Sequence, residues 1–323
     1  MKFCTFQKPD GSSQAGWLYN DAWVVDMNAV SQGQLPRTMS AFLDTADKNL
    51  QLARQIDGEL TVQLSLTNLT NRASHVDLPK GIYDLDGVRL LPPLPKPASI
   101  RDFYAFEEHV KTARRHRGLD MVPQWYDFPV FYFTNHQAVA GPEDEIAVPP
   151  GCTWFDYELE MACVIGRHGK DIPSGAAHDF IFGYTIMNDW SARDLQREEM
   201  KVGLGPAKGK DFATSLGPWI VTPDELAPYQ DGQRYNLAMT ASVNGKLLSE
   251  GNYRDIYFTF EQMIERASAG VSLYPGDVIG SGTVGTGCIL ELGTDIHRWL
   301  IPGDLVELSI TGLGTLRNVV KGC

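Results

Sequence analysis

The chain has 323 residues, 43% hydrophobic and 21% charged, which suits a soluble globular protein with a sizeable core and room for two domains. Its formal net charge of −12 argues against nucleic-acid or anionic-membrane binding, both of which need basic surface, and requires basic groups gathered locally if a substrate is anionic. The five cysteines (Cys4, Cys152, Cys163, Cys288 and Cys323) are odd in number and lack metal-ligand spacing, and the start MKFCTFQKPDG has no signal-peptide core. With no apolar run near the ~18 residues that span a membrane, these features predict a cytoplasmic protein with reduced thiols.

In chain order, KFCTF and AWVVDM are short alternating strands around a PDGSS turn. TMSAFLDTADKNLQLARQI then places Met39, Phe42, Leu43, Ala46, Leu50, Ala53 and Ile56 at helical spacing. LLPPLPKPAS, four prolines in ten residues, reads as a linker, so the expectation is a small α+β domain over 1–92 and a larger one over 93–323. Beyond it the chain is strand-rich, and the predicted class is α+β, mainly β. Helices are predicted in YAFEEHVKTARRHRG, ending at Gly118, and after Asp189. Another lies in TFEQMIERASAG, with a Thr259/Gln262 capping box and a C′ glycine at 270. YPGDVIGSGTVG and IPGDLVELSITGLG share a Pro-Gly-Asp turn before a strand, which marks β-rich architecture.

Residues 156–166, DYELEMACVIG, place Glu158 and Glu160 two apart in a strand-like apolar segment. Period 2 puts both on one face, and like charges at that spacing repel by on the order of 2–3 kcal/mol unless a cation or a shifted pKa relieves them. A second apolar run, FIFGYTIMNDW, delivers Asp189 and opens into SARDLQREEM. Three carboxylates with no Cys or His at ligand spacing describe an oxygen-only site for a hard dication such as Mg²⁺, Mn²⁺ or Ca²⁺.

Three other motifs fail on context. Gly280, Gly282 and Gly285 fit G-x-G-x-x-G, but a strand-like CILEL follows where a dinucleotide fold needs a helix. GPAKGKD lacks the P-loop register, with Asp211 where Ser or Thr should stand. Ser191 has no nucleophile-elbow glycines.

Arg193 and Gln196 are three apart on one helix and share a face. A lone lysine such as Lys210, in a glycine-rich loop, is more often a solvated charge. His109, among Glu107, Glu108, Lys111, Arg114 and Arg115, reads more readily as a surface side chain. Glu291, in an apolar strand-like run, needs a partner. Asp102, before Phe103 and Tyr104, reads equally as a helix N-cap.

MNDWSARDLQ, the preceding ELEMA, the DFY…H segment near residue 102, GKDF and SGT…LEL occur together in an order that resembles the fumarylacetoacetate hydrolase family, over roughly residues 95–320. The resemblance implies a dimeric mixed β-roll that carries a divalent cation, with Asp102, Glu158, Glu160 and Asp189 as ligands. It implies His109 as general base, Glu291 as the carboxylate that orients it, and Arg193, Gln196 and Lys210 as holders of the oxyanion and departing fragment. Tyr104, Tyr132 and Thr283 match substrate-contacting positions, and Arg115 is a looser match to a carboxylate-binding arginine.

There are departures. Met200 stands where the eukaryotic-type enzyme has tyrosine, and one extra residue precedes Lys210. The tail ITGLGTLRNVV looks more like a bacterial branch of acylpyruvate hydrolases, isomerases and oxaloacetate decarboxylases, which often carries its glutamate where Thr112 stands here. The implied reaction is metal-dependent C–C hydrolysis of a fumarylacetoacetate- or acylpyruvate-like keto acid in aromatic catabolism. Decarboxylation or isomerisation of a 2-oxo diacid is the alternative. A catalytically idle metabolite-binding member is a third reading, opposed by the presence of His109, Glu291, Lys210 and all four acids.

Overall fold

The alternation in Lys2–Gln7 separates two faces: Phe3 joins one hydrophobic cluster while Cys4 and Phe6 join another, as period 2 requires. In this computed structural model, which describes residues 1–66 and 79–323, that strand is one member of a twelve-stranded mixed sheet. Its turn closes through Gly11 at φ +83°, with the Asp10 carboxylate accepting from the Ser12 amide at 2.9 Å. The next strand, Ser13–Tyr19, was not among the expected elements. Gly16 at its centre weakens the strand signal, yet a Cβ there would lie 2.2 Å from the Val25 carbonyl oxygen on the neighbouring Trp23–Asp26 strand. The helical run after it breaks at residues 44–45 into Met39–Leu43 and Ala46–Leu66.

Across the sheet the order is Ile82–Asp84, Trp23–Asp26, Ser13–Tyr19, Lys2–Gln7, Thr214–Val221, Ile181–Asp189, Leu159–Ile165, Asp277–Gly280, Ser99–Phe103, Phe131–Thr134. The segment before residue 93 is therefore hydrogen-bonded to the rest, with Phe3 registered opposite Ile220. Its core is shared as well. Phe3 and Phe42 pack on Phe182 at ring separations of 5.3 and 5.8 Å, in one cluster with Ile100, Ala162 and Val278. Residues 92–98 are irregular, as the prolines require.

A five-stranded sheet covers the other face, in the order Lys246–Asn252, Ala238–Val243, Leu305–Ile310, Gly314–Lys321, Glu145–Ala147. The two Pro-Gly-Asp turns do the same local work, Asp277 accepting from the Tyr274 amide and Asp304 from Ile301. Their strands lie in different sheets, so the echo is one of turn chemistry. The helices at Glu107–Arg115, Arg193–Met200 and Phe260–Ser268 lie within the predicted segments, the last with its capping box and with Gly270 at φ +74°. The CILEL expectation is corrected: Ile289–Leu292 is one turn of helix. A four-residue apolar run has no readable period, and Gly293 at φ +85° ends it. Among the described residues no helix is long and apolar enough to cross a membrane.

Candidate metal and acid–base site

Leu159–Ile165 is buried throughout and lies between the Ile181–Asp189 and Asp277–Gly280 strands, with Ser99–Phe103 one strand further out. Register places Glu160 opposite Met187 and Gly280 beside Asp102. A Cβ on Gly280 would meet the Asp102 carboxylate at 2.4 Å, and one on Gly282 would meet the Phe103 carbonyl at 2.5 Å. The glycine-rich run thus serves close strand approach, letting Asp102 lean across toward Glu160.

Asp102, Glu160 and Asp189 are all buried, and each offers an oxygen within 4.8 Å of the other two. Asp102 is inside a strand, and the nearby helix starts at Glu107 with Phe106 in the capping position, so the N-cap alternative does not hold. Asp102 Oδ1, Glu160 Oε2 and Asp189 Oδ1 have no hydrogen-bond partner. Burial, and after it the neighbouring carboxylates, holds Asp102 and Glu160 well above the usual carboxylate range. Burial raises Asp189 too, against the opposing charge of Lys210. Three buried carboxylate oxygens without a hydrogen-bond partner fit a hard divalent cation.

Glu158 lies two residues from Glu160 and in the opposite environment. Its Oε1 meets Arg193 Nη2 at 2.8 Å and its Oε2 accepts from Lys210 Nζ at 2.5 Å. Burial alone would raise its pKa, but Arg193 and Lys210 drive it far below the usual value. Lys210 is 3% exposed and not a solvated charge. It also donates to Asp189 Oδ2 at 2.5 Å, which joins the two halves of the site. Gln196, half-buried, accepts from Arg193 at 3.3 Å.

His109 is 4% exposed, and its Nδ1 sits 2.5 Å from Glu291 Oε1. The other glutamate oxygen takes the Thr286 amide at 3.0 Å. With the carboxylate fixed this way, Nδ1 carries the hydrogen and Nε2 is left for chemistry. His109 faces inward because the Glu107–Arg115 helix also buries Val110, Thr112 and Ala113, a stripe its charged neighbours obscure in the sequence. The half-buried Tyr104 packs edge-on against His109 at 5.3 Å. Tyr132 donates to Asp189 Oδ2 at 2.5 Å, and Thr283 to Glu160 Oε1 at 3.3 Å. Arg115 is exposed in the last turn of the helix with Thr112 Oγ1 3.4 Å away.

Two supporting residues escaped the sequence reading. Asp156, fully buried, accepts from the Ile289 and Leu290 amides at 2.8 and 3.0 Å and from Arg193 Nε at 2.9 Å. It ties the turn that carries Glu291 to the guanidinium that holds Glu158, and it belongs to the same two-residue alternation as Glu158 and Glu160. Glu199 takes the Ala207, Lys208 and Gly209 amides at 2.9, 2.6 and 3.1 Å and so fixes the loop that presents Lys210.

Comparison with known proteins adds the following. A family model described as "Fumarylacetoacetate (FAA) hydrolase C-terminal" matches residues 98–321. The fumarylacetoacetase of Bos taurus is 32% identical over 272 residues, 65% of this chain and 64% of that one, so the chain spans just under two thirds of its length. The mitochondrial oxaloacetate tautomerase of Homo sapiens is 31% identical over 308 residues, 93% of this chain and 85% of its own. The crystal structure of a 5-carboxymethyl-2-hydroxymuconate delta-isomerase from Mycobacterium smegmatis superimposes with a TM-score of 0.68 at 25% identity, covering 100% of both chains.

Proposed function

The chain belongs to the fumarylacetoacetate hydrolase family, and we propose that within it this protein is a divalent-cation-dependent hydrolase that cleaves a C–C bond in an acylpyruvate- or fumarylacetoacetate-like keto acid. The observation that carries this reading is the buried His109–Glu291 pair, whose turn is tied through Asp156 and Arg193 to Glu158 and on through Lys210 to the three carboxylates with unpartnered oxygens. Asp102, Glu160 and Asp189 would hold Mg²⁺ (or Mn²⁺ or Ca²⁺), which as a Lewis acid supplies charge stabilisation at the keto oxygens. Glu158, part of the expected ligand set, has both oxygens engaged by cations here and is assigned to placing them.

The chain's own groups supply the rest. Glu291 holds the imidazole in one tautomer, and His109 Nε2 takes a proton from water so that hydroxide adds to the distal carbonyl. As the C–C bond breaks, the imidazolium returns that proton to the departing carbon. Lys210, Arg193 and Gln196 present donors fixed before the reaction begins, and the two cations draw an anionic substrate into an otherwise acidic protein. Tyr104 and Tyr132 border the same space. A small anionic keto acid, a cytoplasmic setting, a role in aromatic catabolism and a homodimer complete the proposal.

A second reading rests on coverage: the oxaloacetate tautomerase matches more of both chains than the fumarylacetoacetase does. In that reading His109 moves a proton within a 2-oxo diacid and no water attacks; isomerisation or decarboxylation belongs to the same class. Product analysis with acetylpyruvate, fumarylpyruvate and oxaloacetate in the presence of Mg²⁺ separates the two. Release of pyruvate with a second carboxylic acid supports hydrolysis. A shifted double bond or CO₂ as the sole outcome replaces hydrolysis with the alternative.

A further inference from the structure

Beside the oxygen-only trio lies a second cluster of different chemistry. His109, Cys288 and Glu291 are all buried, and each offers a ligand atom within 4.8 Å of the other two. Cys288 precedes the Ile289–Leu292 turn and Glu291 follows three residues on, so thiol and carboxylate share one side of that turn and face His109 from the opposite helix. Both neighbours converge on one oxygen, with Cys288 Sγ 3.6 Å and His109 Nδ1 2.5 Å from Glu291 Oε1.

We propose that His109, Cys288 and Glu291 form a binding site for a zinc-class cation, separate from the site for the hard dication. Imidazole, thiolate and carboxylate are the donors such borderline-soft ions select, whereas three carboxylates select Mg²⁺ or Ca²⁺. Tetrahedral coordination with bonds of about 2.0 Å to N and O and about 2.3 Å to S separates sulfur from oxygen by about 3.5 Å and nitrogen from oxygen by about 3.3 Å. The first separation is already present, and the second needs the imidazole and carboxylate to part by less than one ångström. Glu291 keeps its Thr286 amide bond through the other oxygen. Binding would release the Cys288 proton to solvent, and His109 would give up the Nδ1 hydrogen and carry one on Nε2, so no oxidant or further reactant is involved. Three protein ligands leave a fourth position for water. An ion there occupies the nitrogen and oxygen that the proton relay uses, so the consequence for turnover rests on the proposed function while the site itself does not.

The test is spectroscopic and needs no substrate. Co²⁺ titrated into the full-length protein at saturating Mg²⁺ is expected to give a near-ultraviolet thiolate-to-cobalt band that saturates at one equivalent and is abolished by Zn²⁺. Cys288→Ala and Cys288→Ser should both lose the band, and a Zn²⁺ titration by calorimetry should show affinity reduced by about tenfold or more in each. His109→Ala should shift or remove the band. A wild-type protein without the band overturns the site. So does a band that survives in both Cys288 variants, since it would belong to Cys4, Cys152, Cys163 or Cys323. Melting temperatures of the two variants show that the fold is retained.

Discussion

Glu158 and Glu160 are the same side chain, two residues apart on one buried segment, and their surroundings push them in opposite directions. Glu158 has two cations on its oxygens and is held ionised. Glu160, with burial first and then Asp102, Asp189 and Glu158 acting on it, is pushed toward the neutral acid, and Thr283 donates to its Oε1. Burial is common to both, so what differs is the sign of the nearest charge. The protein thus builds a half that holds two cations (Lys210 and Arg193 on Glu158, with His109 and Glu291 nearby) against a half made of acids (Asp102, Glu160 and Asp189). Lys210 is the contact between them.

The sharpest way to break this contrast is to remove that contact. Lys210→Met strips a cation from Glu158 and Asp189 and should cost ~3–5 kcal/mol of unfolding free energy in denaturant titration, because buried charge is left unpaired. His109→Ala separates the halves by function. Turnover should fall by roughly 10²–10⁴-fold while calorimetric Mg²⁺ affinity is retained, and surviving turnover would remove His109 from the mechanism. Glu160→Gln should abolish Mg²⁺ binding yet raise the melting temperature of the chelated protein at alkaline pH, where the native glutamate would ionise beside Asp102 and Asp189. Unchanged Mg²⁺ affinity in that variant would refute the ligand assignment.

The smallest effect is a pH dependence of opposite sign in the two halves. Asp102 and Glu160 have raised values in the ion-free fold, so their contribution to stability is full in acid and is lost as pH climbs through those raised values. Glu158 has a lowered value, so its contribution is present above the ordinary glutamate range and is lost as pH falls through the lowered one. The chelated protein should therefore lose stability as pH rises above the ordinary carboxylate range, and Mg²⁺ should flatten that slope. A flat profile in chelator, measured by thermal melting, would show that the trio is not mutually destabilised.

Much of the site was legible because its signals are local. Period 2 in DYELE and the end of an apolar run at Asp189 need nothing from the tertiary structure. The rest depends on distance. Lys210 looks like a solvated charge until Glu158, 52 residues away, closes on it. His109 looks like surface until the Glu291 turn, 182 residues away, covers it. The Ser13–Tyr19 strand hides behind a glycine whose purpose appears only when Val25 lies against it. Asp156 is legible in principle, as the first acid of the 156/158/160 alternation. The Ile289 and Leu290 amides that it binds are not, because they lie on a single turn of helix too short to show a period.

The shared sheet has a consequence for anyone who wishes to trim this molecule. The proline-rich stretch invites a cut, and the larger fragment would keep every residue named in the chemistry. It would also lose Phe3 and Phe42, leaving Phe182, Ile220 and Val278 wet on the strands that deliver Asp189 and press against Asp102. The N-terminal segment is thus a wall of the unit that carries the candidate site. A shortened version should clump or melt early, and the remedy would be to repaint those exposed positions with polar side chains before cutting.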